Sequence, residues 1–310
     1  MRPSQSATGF VSAGERPGLI RAECHHQRSA GSYDQRMTDY ETEFRSLDGT
    51  ALFGTVTPSP THPAALAILA HGAGVTREEG GFFSRLAAGL AGVGITCLRF
   101  DLRAHGASGG RPADLTIAAV ANDIRAAGDH LTEVTDLPGP VHVIAASFSG
   151  GAAAMHAARY PGDVGRLVLL NPRIDYKDRY ITERSGWSDN YLSPKRAAQL
   201  DKSGALPRQP FETGRALLNE MFHLPTPEAI VSDVRCPALI VHGTKDTFVD
   251  VELSRRYAPL FGAGTGAELY ELEGAQHGFA AHDDPAYAHP QSQAWQREVI
   301  AKVSEFLATS

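Results

Sequence analysis

From Tyr40 onward the chain alternates short apolar runs of strand length with longer stretches in which apolar residues recur every three or four positions. Residues 40–47 and 51–58, joined by Asp48-Gly49-Thr50, read as a hairpin, because Asp-Gly supplies the positive φ angles that such turns require. The runs at 64–71, 95–101, 140–146, 166–171, 237–243 and 267–273 read as buried strands. Helical spacing fills 82–91, 115–131, 150–160 and 252–261, and again 294–307 after the last strand. Near-continuous apolar strands separated by helices predict an α/β protein, with a mostly parallel sheet covered on both faces.

Two regions depart from this rhythm. Residues 173–235 form an interval too long for an ordinary connection, carrying Tyr176, Tyr180, Trp187, Tyr191, Phe211, Met221 and Phe222 among prolines and glycines. It is expected to be an inserted cap, partly helical over 213–222. Aromatic residues outside any core pattern suit a lid over an apolar cleft, although satellite packing explains any one of them as well. Trp187, Tyr191, Met221 and Phe222 are the candidate substrate-binding residues. Residues 1–36 mix charges with Gly, Ser and Arg and lack the apolar stretch of a secretion signal. They are expected to be a disordered extension before a domain running from Met37 to the C-terminus.

Composition narrows the function. At 310 residues and 33.1 kDa, with 42% hydrophobic and 21% charged residues, the chain can bury a sizeable core. A net charge of −6 counts against a mainly electrostatic grip on nucleic acid or anionic lipid, and no apolar run reaches the roughly 20 residues of a membrane span. Cys24, Cys97 and Cys236 are widely spaced and odd in number, fitting neither a disulfide framework nor a thiolate metal site, so a reducing, cytoplasmic setting is expected. No H-E-x-x-H motif occurs, and the glycine-rich stretches at 72–74 and 106–110 lack the spacing of a nucleotide loop. No metal or cofactor is implied. The bias of 24 arginines over five lysines suggests a GC-rich bacterial source.

The most informative segment runs from Val141 to Ala154, an apolar strand passing straight into a helix through Ser147-Phe148-Ser149-Gly150-Gly151. A serine on such a turn stands on strained backbone, and its neighbours at 145, 149 and 150 must be small, as Ala, Ser and Gly are. The following helix aims free N–H groups at the place where negative charge develops during acyl transfer.

Here the chain resembles the α/β-hydrolase superfamily, and its pattern is similar to that of serine aminopeptidase-like, monoacylglycerol lipase-like and cinnamoyl or feruloyl esterase-like members. The family elbow is usually G-x-S-x-G. With Ser147 as nucleophile, Ala145 and Ser149 replace its glycines; with Ser149 instead, Gly151 keeps the final glycine. Ser147 is preferred because it lies at the family's distance from the last bulky strand residue, Ile144, while Ser149 suits a capping role. By the same resemblance, the loop His71-Gly72-Ala73-Gly74 donates the Ala73 N–H to an oxyanion hole completed by Phe148, with His71 shaping the loop. The turn Asp101-Leu-Arg103-Ala-His105-Gly106-Ala-Ser108 is a fold marker without catalytic role.

A serine needs a histidine to take its proton and a carboxylate to orient that imidazole. The segment His242-Gly243-Thr-Lys245-Asp246 matches the family's H-G-x-x-D, making Asp246 the acid and leaving Asp250 as a fallback suited to capping the next helix. Gly274-Ala-Gln-His277 matches G-x-x-H, making His277 the base. The resemblance implies an eight-stranded sheet and a serine hydrolase acting on a carboxylic ester with an apolar or aryl group through an acyl-enzyme. The expected partner is a small-molecule ester or thioester. The alternatives are a thioesterase or acyltransferase unloading an acyl carrier, and a non-catalytic small-molecule receptor on the same fold.

Overall fold

The computed structural model describes residues 38–207, 211–281, 284 and 286–309. The expectation for residues 1–36 lies outside them, as does Cys24. The sheet contains β1 (Tyr40–Arg45), β2 (Ala51–Thr57), β3 (Ala65–Ala70), β4 (Ile95–Phe100), β5 (Val141–Ala146), β6 (Val164–Leu170), β7 (Ala238–Gly243) and β8 (Glu268–Leu272). Its spatial order is β1-β2-β4-β3-β5-β6-β7-β8. β2 is antiparallel to β1 and β4, and the remaining pairs are parallel. This is the eight-stranded, mostly parallel sheet that the hydrophobic pattern and the resemblance predict. The Asp48-Gly49 turn carries Gly49 at φ +86°.

Alternation along the strands divides the core. Ile68, Leu98, Val143, Leu167 and Ile240 face one side, packed by α2 (Ile117–Thr135) and α3 (Phe148–Arg159). Leu69, Cys97, Ile144, Val168 and Leu239 face the other, beneath α1 (Phe82–Gly92) and the C-terminal helix of Pro290–Ala308. Strands with both faces covered cannot be half polar, which is why the sequence shows continuous apolar runs there.

Between β6 and β7 the long interval is structured. It holds a π-turn at Asp178–Thr182, a short hairpin (Trp187–Ser188 with Tyr191–Leu192), α4 (Pro194–Ser203) and a strand pair (Ala205–Leu206 with Thr213–Gly214). α5 (Arg215–Glu220) and α6 (Pro227–Ser232) follow. Ile230 and Val231 of α6 are buried in the main core, where this helix packs against α3. α5 is tied to the body by Glu220, whose carboxylate accepts the N–H groups of Ile117 (2.6 Å) and Ala118 (2.8 Å) at the start of α2. α7 (Val251–Tyr257) follows β7, and the helix of Pro290–Ala308 is α8.

Among the described residues no helix is long and apolar enough to cross a membrane, and no group of three potential ligands is placed to hold a metal ion. Cys97 and Cys236 are free thiols, pushed up in pKa by burial, Cys236 to about 11.

Candidate active site

Ser147 sits between β5 and α3 at φ +49°, ψ −113°. A non-glycine residue there stores about 1–3 kcal/mol of strain, which the surrounding hydrogen bonds must hold in place. They are present: Ser147 N–H donates to Leu170 O (2.8 Å), Arg173 N–H to Ser147 O (2.8 Å) and Gly151 N–H to Arg173 O (3.0 Å). A Cβ at Gly150 would come within 2.7 Å of Pro172 Cβ, and one at Gly151 within 2.5 Å of the Tyr176 ring, so the small residues that the sequence shows are sterically required.

The hydroxyl of Ser147 lies 3.0 Å from Nε2 of His277, and His277 Nδ1 lies 2.6 Å from Oδ2 of Asp246. The three side chains thus meet at the carboxyl edge of the sheet from the ends of β5, β7 and β8. Asp246 is fixed by its other oxygen, Oδ1, which accepts the N–H groups of Phe248 (2.8 Å) and Val249 (2.9 Å). Burial pushes its pKa up, but hydrogen bonds from His242 and His277, with the charge of His277, outweigh this and hold the carboxyl well below the usual range. A carboxylate that stays ionised keeps the His277 proton on Nδ1 and leaves Nε2 free to accept from the serine.

Ser149 points away: its hydroxyl is buried and donates to Ala70 O (2.8 Å). Asp250 caps α7, accepting the Glu252 N–H at 3.0 Å. Asp250 thus has the capping role expected of it, whereas Ser149 does not cap α3: it lies inside the helix, and its hydroxyl donates to Ala70 O and to Ala146 O (3.0 Å), tying the turn to β3 and β5.

The loop after β3 is pinned on each side of Ala73. Glu79 Oε2 accepts the Gly72 N–H (3.0 Å), and His105 Nε2 accepts the Gly74 N–H (3.0 Å). Among the described residues the Ala73 N–H between them has no acceptor. Phe148 N–H opens α3, where helix donors lack intrahelical partners.

His71 is buried. Its Nδ1–H donates to Gly72 O (2.7 Å) and its Nε2 accepts from Leu102 N–H (2.9 Å), and burial pushes its pKa down to about 4. It is neutral and shapes the loop. Asp101 and Arg103 likewise spend their bonds on framework, Asp101 on Arg77 and Ala107, Arg103 on Asp123 and Asp48.

The four aromatic and methionine candidates are placed differently from one another. Trp187 packs on Phe222 with ring centroids 5.9 Å apart, Tyr191 is 79% exposed on the short hairpin, and Met221 is 1% exposed within the main core. The pocket beside Ser147 and His277 is lined instead by Glu79, Phe82, Asn171 and Phe279.

Three supporting residues were not singled out from the sequence. Glu79 shares that pocket, and burial raises its pKa. Arg173 pairs with Asp175 at 2.9 Å and donates to Phe248 O at 2.5 Å, linking the serine turn to the acid loop. Phe248 lies against His277 at 5.2 Å. Only the proximity of Arg173 to the end of a strand hinted at any of them.

A serine turn, an imidazole and a buried carboxylate at the carboxyl ends of a doubly covered parallel sheet are the arrangement of an α/β-hydrolase. Residues 67–288 match the alpha/beta hydrolase family, and the chain belongs to it. A monoacylglycerol lipase of Mycolicibacterium smegmatis is 27% identical over 241 residues, covering 70% of this chain and 83% of that protein. A monoglyceride lipase of Homo sapiens is 30% identical over 131 residues, 42% of each chain. Among solved structures, Est1E from Butyrivibrio proteoclasticus with ferulic acid bound has a TM-score of 0.66 at 19% identity, covering 85% of this chain and 99% of that one. The Pyrococcus furiosus esterase Pf2001 has a TM-score of 0.60 at 19% identity, covering 87% and 92%.

Proposed function

We propose that the chain is a serine hydrolase that cleaves carboxylic esters with an apolar or aryl acyl group, using Ser147, His277 and Asp246. The observation that carries this reading is the unbroken hydrogen-bonded path from Asp246 Oδ2 through the imidazole to the Ser147 hydroxyl. The names of the lipase and esterase relatives support ester chemistry as the reaction class.

Ser147 Oγ attacks the ester carbonyl while its proton passes to His277 Nε2, and Asp246 stabilises the imidazolium so formed. The Ala73 and Phe148 N–H groups donate to the carbonyl oxygen as it becomes an oxyanion. The C–O bond to the alcohol breaks, and the proton on Nε2 goes to the departing oxygen. Water then repeats the sequence on the acyl-enzyme, losing a proton to Nε2 and returning Ser147 to its free form. The segment between β6 and α6 acts as a cap over this site in the same reading.

Ser147→Ala is expected to lower kcat on p-nitrophenyl esters by about a million-fold. A fluorophosphonate probe is expected to label wild type at Ser147. Labelling at Ser149, or near-normal turnover by Ser147→Ala, overturns the assignment, and absence of both labelling and turnover favours a receptor. Comparing hydrolysis of aryl esters with release from carrier-bound acyl thioesters separates an esterase from a thioesterase or acyltransferase.

A further inference from the structure

The segment between β6 and α6 encloses a second recess, separate from the pocket at Ser147. Its cavity volume is about 130 Å³, room for a compact ligand of one ring or for the charged end of a longer one. Its lining is unusual for a patch of packing: Arg184 and Arg196 together with Ser185 and Thr213, over an apolar floor that includes Trp187 and Leu218.

Neither arginine forms an ion pair among the described residues. Arg184 Nε donates to Arg179 O (3.0 Å) and Arg196 Nη1 to the side chain of Gln199 (3.3 Å), which leaves most of their N–H groups unused. Of the carboxylates in this segment, Asp175 pairs with Arg173, Asp201 with Arg215, and Glu220 holds the first turn of α2, while Glu183 adjoins Arg184 in the chain. Arg179 is lowered in pKa first by burial and then by the charges of Arg184 and Arg173, while Tyr180 and Glu183 act in the opposite sense.

Arg196 is held in place by shape. Its stem crosses Gly186, at φ +98°, where a Cβ would stand 3.0 Å from Arg196 Cγ and 3.4 Å from Nε. Thr213 adds an independent sign. It is 3% exposed, and its hydroxyl has no hydrogen-bond partner although it lines this recess. A buried hydroxyl without a partner costs free energy unless something that binds there satisfies it.

We propose that this recess is a binding site for a small organic anion, a carboxylate or phosphate group carried on a flat or aliphatic apolar body. Arg184 and Arg196 take the charge, the Thr213 hydroxyl donates a third hydrogen bond, and Trp187 and Leu218 cover the body. The site is distinct from the serine centre. Tyr180 stands at its edge with Phe211 6.5 Å away, and Phe211 packs on Phe148 at 5.3 Å, so an aromatic wall divides the two.

Calorimetric titration of the full chain with phenyl phosphate, benzoate and benzyl alcohol tests the proposal. One of the anions should bind saturably below about 10 mM, benzyl alcohol should not, and affinity should fall as salt is raised. Whichever anion binds more tightly tells phosphate from carboxylate. Arg184→Gln and Arg196→Gln should each weaken that binding by about tenfold or more.

Thr213→Val guards against a folding artefact. It removes an unsatisfied hydroxyl, so the thermal midpoint should hold or rise while anion affinity drops. Ser147→Ala should bind the anion as wild type does, which keeps this test independent of the catalytic reading. Equal binding of benzyl alcohol, unchanged affinity in the arginine variants, or no saturable binding of either anion overturns the proposal.

Discussion

Glu79 keeps a carboxyl group 7% exposed, on backbone at φ +45°, between an exposed turn and the serine. Its neighbour Glu78 has a side chain 44% exposed, so nothing in the pair Glu78-Glu79 marks one of them as buried. The difference lies in what the second one holds: the Gly72 N–H, one residue before Ala73, the proposed oxyanion donor. Replacing Glu79 with Ala frees Gly72 and lets the Ala73 peptide rotate, and an oxyanion donor out of line costs rate far more than binding. Glu79→Ala is expected to reduce kcat on p-nitrophenyl esters about ten- to a hundredfold with KM little changed. Glu79→Gln keeps an acceptor oxygen and should restore most of the loss. Equal kcat in wild type and Glu79→Ala would show the loop to be held without it. Ser147, Asp246 and His277 were legible because each ends an apolar strand in a short motif, whereas Glu79 and Arg173 act through contacts that no local pattern announces.

The serine turn is held as an element by Tyr176, which lies beyond β6. Its hydroxyl donates to Phe148 O (2.5 Å) and accepts the Ala152 N–H (3.0 Å), so it bonds the opening turn of α3 twice, and its ring lies where a side chain at Gly151 would have to go. Tyr176→Phe leaves a buried N–H and a buried carbonyl without this partner, at a cost of about 1–3 kcal/mol each. The expected result is a lower urea midpoint and a lower kcat, measured on the same preparation. Loss of stability with unchanged kcat would mean that the turn keeps its shape without the latch. The sequence places Tyr176 only among the aromatics of a long interval. Strands and amphipathic helices show themselves through periodicity, and all eight sheet strands were readable that way. The segment between β6 and α6 builds itself from two-residue strand pairs and helices of six to ten residues, too short for a period to emerge. The helix that follows, α6, lies within the interval 173–235 read as an insertion and yet packs with the core, because Ile230 and Val231 are two adjacent apolar residues without a repeating frame.

Across the whole molecule, buried histidines contribute to the response to acid. His71, His142 and His156 are each pushed down to about 4, mainly by burial. Around His156, Asp163 pulls its pKa back up, Arg125 lowers it further, and the Tyr160 ring lies 5.5 Å away. In the unfolded chain these imidazoles take a proton as pH falls through about 6.5, whereas in the folded protein they resist until about 4. Stability from each is therefore complete above pH 6.5 and is lost progressively between 6.5 and 4, by about 1.4 kcal/mol per pH unit at most. Glu79, Asp175 and Glu220 act in the opposite sense, since burial raises their pKa values and acid relieves their desolvation. The raw stability profile mixes the two signs, and a difference between variants separates them. His156→Leu removes one imidazole from an apolar site and leaves the carboxyl groups as they are. The gap in unfolding free energy between wild type and His156→Leu, from urea melts, should shift by about 2 kcal/mol in favour of the variant between pH 7 and pH 4.5. A gap that stays constant over that range would show that His156 is protonated as readily in the folded chain as in the unfolded one.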